Sequence, residues 1–160
     1  MTIRVQTLLA GELDVEEKDL FFFPRGLPGF PDFHRWVLAG DDGEVIKWLV
    51  PVDCGAVALP VAPPSLVDAG YDPDLPDAVL EELGAESMED VVLLSILNLP
   101  GGDALKGTAN LLAPLALTPK TRRGRQVVLS DDRWSVETPL LSDEEIARIE
   151  GTKNGAGGDL

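Results

Sequence analysis

The sequence has very few of the residues from which metal and disulfide sites are built. Among 160 residues there is one cysteine, Cys54, and one histidine, His34. A single cysteine cannot form an internal disulfide, so nothing indicates an oxidising compartment. One Cys and one His also cannot supply the ligands of a structural zinc site. We therefore expect no metal and no cofactor.

Long apolar runs are absent as well. The longest, Val91 to Leu97 and Leu111 to Leu117, have the length of a strand, and neither approaches the roughly 20 residues that a membrane helix needs. The first ten residues lack the apolar stretch of a signal peptide. These absences predict a soluble protein of the cytoplasm.

Positive charge is scarce. Thirteen Lys and Arg against 28 Asp and Glu give a net charge of −15. Such a field repels nucleic acid and anionic membranes, attracts basic partners, and also keeps a protein soluble. The one basic cluster, Arg122 to Arg125, is interpreted either as a docking point for RNA or an acidic partner, or as a charged hairpin tip.

Short strands separated by turn signals dominate the rest of the chain. This spacing predicts a mostly β, single-domain, antiparallel barrel-like or sandwich fold over residues 1–141, with one or two short helices. The expected strands cover residues 3–7, 12–15, 20–23, 35–39, 45–50, 56–61, 91–99, 109–117 and 126–129.

Two segments carry helix signals. In Leu75 to Gly84, Pro76 suits the first helical position and Gly84 suits the stop. Ser142 and Glu145 form a capping-box pattern, which predicts a short C-terminal helix over residues 142–150. Residues 151–160 contain four glycines and are predicted to be a disordered tail.

Paired carboxylates leave an enzymatic alternative open. Adjacent acids occur at residues 41–42, 81–82, 131–132 and 144–145, and two facing carboxylates can hydrolyse a glycoside. A small carboxylate-based hydrolase, with the Gly/Pro-rich loop as its lid, would need a concave pocket with perturbed carboxyl groups. Since every pair lies in an expected turn or on a solvated helix face, plain solvation is favoured.

The segment Arg25 to Pro31 is dense in Gly and Pro and is expected to be a fixed loop. Leu27, Phe30, Phe33 and Trp36 lie in it or just after it. Apolar side chains on a rigid loop either complete the core or anchor a partner protein.

The order of several motifs resembles that of the FliW family of flagellar assembly factors. The most specific are FPRGLPGF at residues 23–30, TANLLAP at residues 108–114 and GRQVVL at residues 124–129, within a match from Ile3 to Leu141. Candidate partner-binding residues come from these motifs and from the loop aromatics: Leu27, Phe30, Phe33, Trp36, Asn110, Leu112, Pro114 and Gln126.

The resemblance implies a monomeric, non-enzymatic cytoplasmic protein with two protein partners. One is flagellin, held before secretion; the other is CsrA, a small RNA-binding repressor of flagellin translation. Export of flagellin frees the factor to bind CsrA, and translation resumes. The resemblance favours non-competitive, allosteric antagonism over a second possibility, in which the acidic chain mimics RNA in the repressor's groove.

Overall fold

The structure, a computed structural model, describes residues 2–7, 11–41 and 43–149. Helix α1 covers Asp77–Leu83, and residues 143–149 form a second helix, α2. The described strands are β1 (Thr2–Thr7), β2 (Gly11–Glu16), β3 (Leu20–Phe22), β4 (Arg35–Ala39), β5 (Lys47–Pro51), β6 (Leu59–Ala62), β7 (Val92–Asn98), β8 (Thr108–Ala109), β9 (Leu115–Thr118), β10 (Arg123–Gln126) and β11 (Thr138–Pro139).

Seven of these strands close into a barrel. Their order is β7-β6-β5-β4-β3-β10-β9, and β9 pairs back with β7. All neighbours run antiparallel except β3 and β10, which are parallel and share the single residue pair Phe22 and Arg123. Strands β8 and β11 extend the sheet from β7. The predicted mostly β, barrel-like fold is confirmed.

Strand alternation divides the apolar residues between the barrel interior and its outer face. In β9, Leu115 and Leu117 point inward to a cluster that contains Phe23 and Trp36. Ala116 points outward to a second cluster, which includes the apolar face of α1. Both clusters are therefore fixed by the same four-residue strand.

A separate hairpin of β1 and β2 covers another part of the outer face. Its Val5 and Val15 pack against Val37 and Val50 of the barrel. The hairpin approaches the barrel so closely that a Cβ at Gly55 would collide with the carbonyl oxygen of Gln6. Glycine at this position therefore lets the hairpin seat on the barrel.

Helix α1 begins one residue later than the sequence indicates. Pro76 has an extended ψ of 146° and is the N-cap, not the first helical residue, whereas Gly84 ends the helix at φ 72° as expected. The capping box of α2 is present, since Glu145 N donates to Ser142 Oγ over 3.1 Å and Ser142 N donates to Glu145 Oε1 over 3.2 Å. The end of the predicted helix and the predicted tail, residues 150–160, lie outside the described residues.

The prediction of one strand over Ala109 to Leu117 is wrong. The chain leaves β8 at Asn110, whose side-chain oxygen accepts a hydrogen bond from Ala113 N over 2.9 Å, and β9 begins at Leu115. Pro114 has no N–H to offer a strand ladder, which favours a break here. The apolar run is therefore two strands joined by a tight turn.

Several strand boundaries also differ from the sequence prediction. β10 starts at Arg123, three residues early, because Arg122 completes the preceding turn with φ 57°. Arg123 and Arg125 are therefore strand residues, and of the predicted hairpin tip over Arg122 to Arg125 only Arg122 lies in the turn. β6 starts late, at Leu59, because a turn closes first through Val57 N donating to Cys54 O over 3.1 Å.

Candidate functional site

The Gly/Pro-rich loop after β3 closes one end of the barrel and has a defined turn at its centre. Leu27 and Phe30 exchange two backbone hydrogen bonds, of 3.2 and 2.7 Å. Pro28 and Gly29 occupy the two central positions, and Gly29 has φ 86°, the arrangement of a type II turn. Gly26 is at φ 63°, and a Cβ there would lie 2.5 Å from Phe30 O. The loop therefore has a defined hydrogen-bonded turn at its centre, which suits the fixed loop that the sequence predicts.

The loop aromatics form one packed group against the barrel interior. The Phe30 and Phe33 rings stack with centroids 6.0 Å apart, and both meet Trp36 edge-on. Trp36 Nε1 donates to Phe33 O over 2.8 Å. Leu27 is 2% exposed and Trp36 0% exposed, so both belong to the core. Phe30 and Phe33 are half-buried and keep some exposed surface.

An ion-pair cluster ties the loop to α1 and β10. Arg25 Nε donates to Glu82 Oε1 over 2.9 Å, and Arg125 Nη1 donates to Glu82 Oε2 over 2.5 Å. The hydrogen bond from Arg25 is the main cause that holds the pKa of the Glu82 carboxyl below its ordinary value. The loop is thus held in place by charge as well as by apolar packing.

The second group of predicted residues surrounds the Asn110 turn. Ala113 is held by two side chains. Its N–H donates to Asn110, and its carbonyl oxygen accepts a hydrogen bond from Gln126 Nε2 over 3.0 Å. Leu112 O accepts from Leu129 N, and Pro114 O accepts from Val127 N. The structure therefore brings Asn110, Leu112, Pro114 and Gln126 together. Leu112 packs against the outer cluster, and none of the four belongs to the cluster of the loop aromatics.

Tyr71 supports the same turn, a role that sequence reasoning missed. Its hydroxyl donates to Leu111 O over 2.6 Å, and its ring meets Trp134 edge-on at 4.6 Å. Burial raises the pKa of Tyr71 to about 12. In the sequence, the feature that points to Tyr71 is its isolation: it is the only tyrosine in the chain and lies in a Gly/Pro/Asp-rich stretch unsuited to a helix or strand.

The basic cluster at residues 122–125 is engaged within the protein. Arg122 lies over the Phe21 ring at 3.7 Å and donates to the carbonyl oxygens of Asp19 and Leu20. Arg123 and Arg125 donate to Glu82. These contacts favour a structural role over a docking point for RNA.

Among the residues that the structure describes, the shifted carboxyl pKa values do not favour the hydrolase alternative. Every described carboxyl with a perturbed pKa is shifted downward by hydrogen bonds to cations or backbone amides: Glu82, Asp90, Asp131 and Glu145. A general acid at neutral pH needs a shift in the opposite direction. The Gly/Pro-rich loop is built into the core, which does not suit a lid.

Within residues 2–7, 11–41 and 43–149, no three His, Cys, Asp or Glu residues are grouped so as to hold a metal ion. The same ranges contain no helix that is long and apolar enough to cross a membrane.

Known proteins are similar to this chain both in sequence and in fold. A family model described as "FliW protein" matches residues 4–140. The chain belongs to the FliW family. A flagellar assembly factor FliW from Symbiobacterium thermophilum is 43% identical over 125 residues, which cover 77% of this chain and 90% of the relative. One from Pseudothermotoga lettingae is 36% identical over 134 residues, covering 84% and 85%.

The fold comparison agrees with the sequence comparison. A crystal structure of the flagellar assembly factor FliW matches with a TM-score of 0.80 and 28% identity, covering 88% of this chain and 99% of that one. The predicted membership of the FliW family is confirmed. The relatives are described as assembly factors, which is not an enzyme class.

Proposed function

We propose that this chain is a cytoplasmic flagellar assembly factor that binds flagellin and, when flagellin is exported, binds and antagonises a CsrA-type translational repressor. The observation that carries this proposal is family membership over residues 4–140. The charge of −15 adds independent support, because an RNA-binding repressor presents positive charge that an acidic surface attracts.

The mode of antagonism that we propose is non-competitive. In this mode the chain binds the repressor away from its RNA groove and changes its affinity for RNA through a coupling free energy. An acidic RNA mimic would instead compete directly for the groove. Repressor already saturated with RNA should therefore still bind the chain, and a gel-shift titration distinguishes the two mechanisms.

The partner switch is tested by titration calorimetry. Flagellin and the repressor from the source organism are each titrated into the chain alone, and then with the other partner at saturation. Negative coupling predicts that each ligand weakens the other. Undiminished affinities in a ternary complex would refute the switch, and absence of binding to both would refute the proposed function.

Among the proposed contact residues, Phe30 gives the most informative variant. If it anchors a partner, Phe30→Ala weakens one interaction while circular dichroism shows a folded protein. If its contacts with Phe33 and Trp36 are mainly structural, the variant loses stability instead. Trp36→Ala serves as the reference variant, because Trp36 is fully buried and its replacement lowers stability for structural reasons alone.

A further inference from the structure

The two ends of the barrel differ. The Gly/Pro-rich loop fills the end at which β4 begins. At the opposite end the interior opens into a depression of about 270 Å³, whose wall includes Leu38, Val61 and Leu94 and whose rim includes Val45 and Pro63. A barrel this small normally fills its interior with its own side chains. This end therefore has apolar surface that the described residues do not cover.

The size and exposure of this barrel mouth suit one large side chain of another protein. Val45 is 52% exposed although it borders a largely apolar depression. A cavity of about 150 Å³ is enough to hold a benzene molecule, so the mouth has room for a leucine, methionine or phenylalanine side chain. Exposed concave apolar surface of this kind is where a partner's anchoring residue binds.

A second depression lies beside the mouth and shares the acidic residue Glu44 with it. That second cleft, of about 580 Å³, lies between the β1–β2 hairpin and strands β4 and β5, and Trp48 forms part of its wall. Leu38 and Glu44 border both depressions, and Asp41 borders the second. The turn between β4 and β5 therefore presents acidic side chains with apolar surface on either side.

We propose that the tip of this hairpin, defined by Leu38, Asp41, Glu44 and Val45, is the docking surface for a cationic amphipathic segment of a protein partner. An apolar side chain of the segment enters the barrel mouth, and a neighbouring Lys or Arg pairs with Glu44 and Asp41. Lys47 also lines the mouth, so the partner's cation belongs on the Asp41 and Glu44 side. The inference rests on the proposed function, and of the two proposed partners the basic repressor has the required charge.

The test measures binding of purified CsrA and of purified flagellin, by calorimetry, to the full chain and to four variants. Val45→Lys places a charge at the mouth, and Glu44→Lys reverses the charge at position 44. Val128→Lys is the matched control, because Val128 is 75% exposed and lies outside both depressions. Glu137→Lys, at an exposed acid before β11, controls for the change in net charge.

We expect Val45→Lys and Glu44→Lys each to weaken CsrA binding by fivefold or more, with both controls within twofold of the wild type. A smaller loss in either test variant overturns the proposal, as does a loss confined to flagellin. If the wild-type chain binds neither protein, the proposed function itself is refuted. Equal melting temperatures of the variants confirm that a loss of binding reflects the surface and not the fold.

Discussion

Asn110 provides the sharpest test of how the apolar run after β8 is turned into two strands. Its side-chain oxygen accepts the Ala113 N–H over 2.9 Å, and Ala113 is only 7% exposed. Replacement by alanine removes the acceptor and leaves that amide without its partner. An unpaired buried donor costs about 1–3 kcal/mol. Since Asn110 itself is half-buried, water can partly replace it, and we expect a loss of about 1–2 kcal/mol.

The assay is thermal unfolding followed by circular dichroism. For a domain of this length, 1 kcal/mol moves the melting temperature by about 2–4 °C, so Asn110→Ala should melt about 2–8 °C lower. Asn110→Asp keeps an acceptor oxygen and should lose less than half as much. Asn98→Ala, at an exposed asparagine in β7, should melt within 1 °C of the wild type. An unchanged melting point for Asn110→Ala, or equal losses for the Ala and Asp variants, would refute the reasoning.

Four further predictions follow from the structure and the sequence. Glu82→Gln should lower stability at neutral pH by about 1–2 kcal/mol. Because the folded pKa of Glu82 lies below its ordinary value of 4.5, the stability difference between wild type and variant should be present above pH 4.5 and narrow as the pH falls further. Urea unfolding at several pH values would show this dependence. The single tyrosine, Tyr71, should ionise near pH 12 in the folded chain, so the stability of the fold should decrease between about pH 10 and 12. An ultraviolet titration that places the ionisation near pH 10 in folded protein would contradict the buried hydrogen bond of Tyr71. The association rate with CsrA should fall as salt rises, because screening shortens the reach of the acidic surface; stopped-flow rates independent of salt would exclude electrostatic steering. Truncation after Glu150 should leave the melting temperature and both affinities unchanged, and calorimetry that shows a large loss of affinity would refute this.

Local signals were sufficient to predict the elements whose geometry is decided within a few residues. The capping box of Ser142 and Glu145 and the stop at Gly84 depend only on neighbouring backbone groups, and both are present. The rigid turn through Pro28 and Gly29 is of the same kind, since each residue restricts or permits particular φ values whatever surrounds it.

The parts that sequence reasoning missed depend on contacts between distant residues. Arg25 and Glu82 are 57 positions apart, and no local pattern pairs them. The run from Ala109 to Leu117 has apolar residues suited to one strand, yet Asn110 and Pro114 divide it, because side-chain hydrogen bonds can replace ladder bonds. The loop aromatics and the Asn110 turn likewise lie in different places because successive side chains of β9 point alternately into the barrel and away from it. Which side chain points inward becomes clear only once the barrel is closed.

The closed barrel has an odd number of strands, and this parity has a consequence for how it comes apart. A ring of seven strands cannot alternate in direction all the way round, so at least one neighbouring pair must be parallel. That seam falls between β3 and β10, which share a single residue pair. Arg122 seals it with hydrogen bonds to Asp19 and Leu20 and by packing on Phe21. With so short a ladder, local opening of the barrel is expected to begin at this seam, and the Arg122 side chain is the contact that holds it closed.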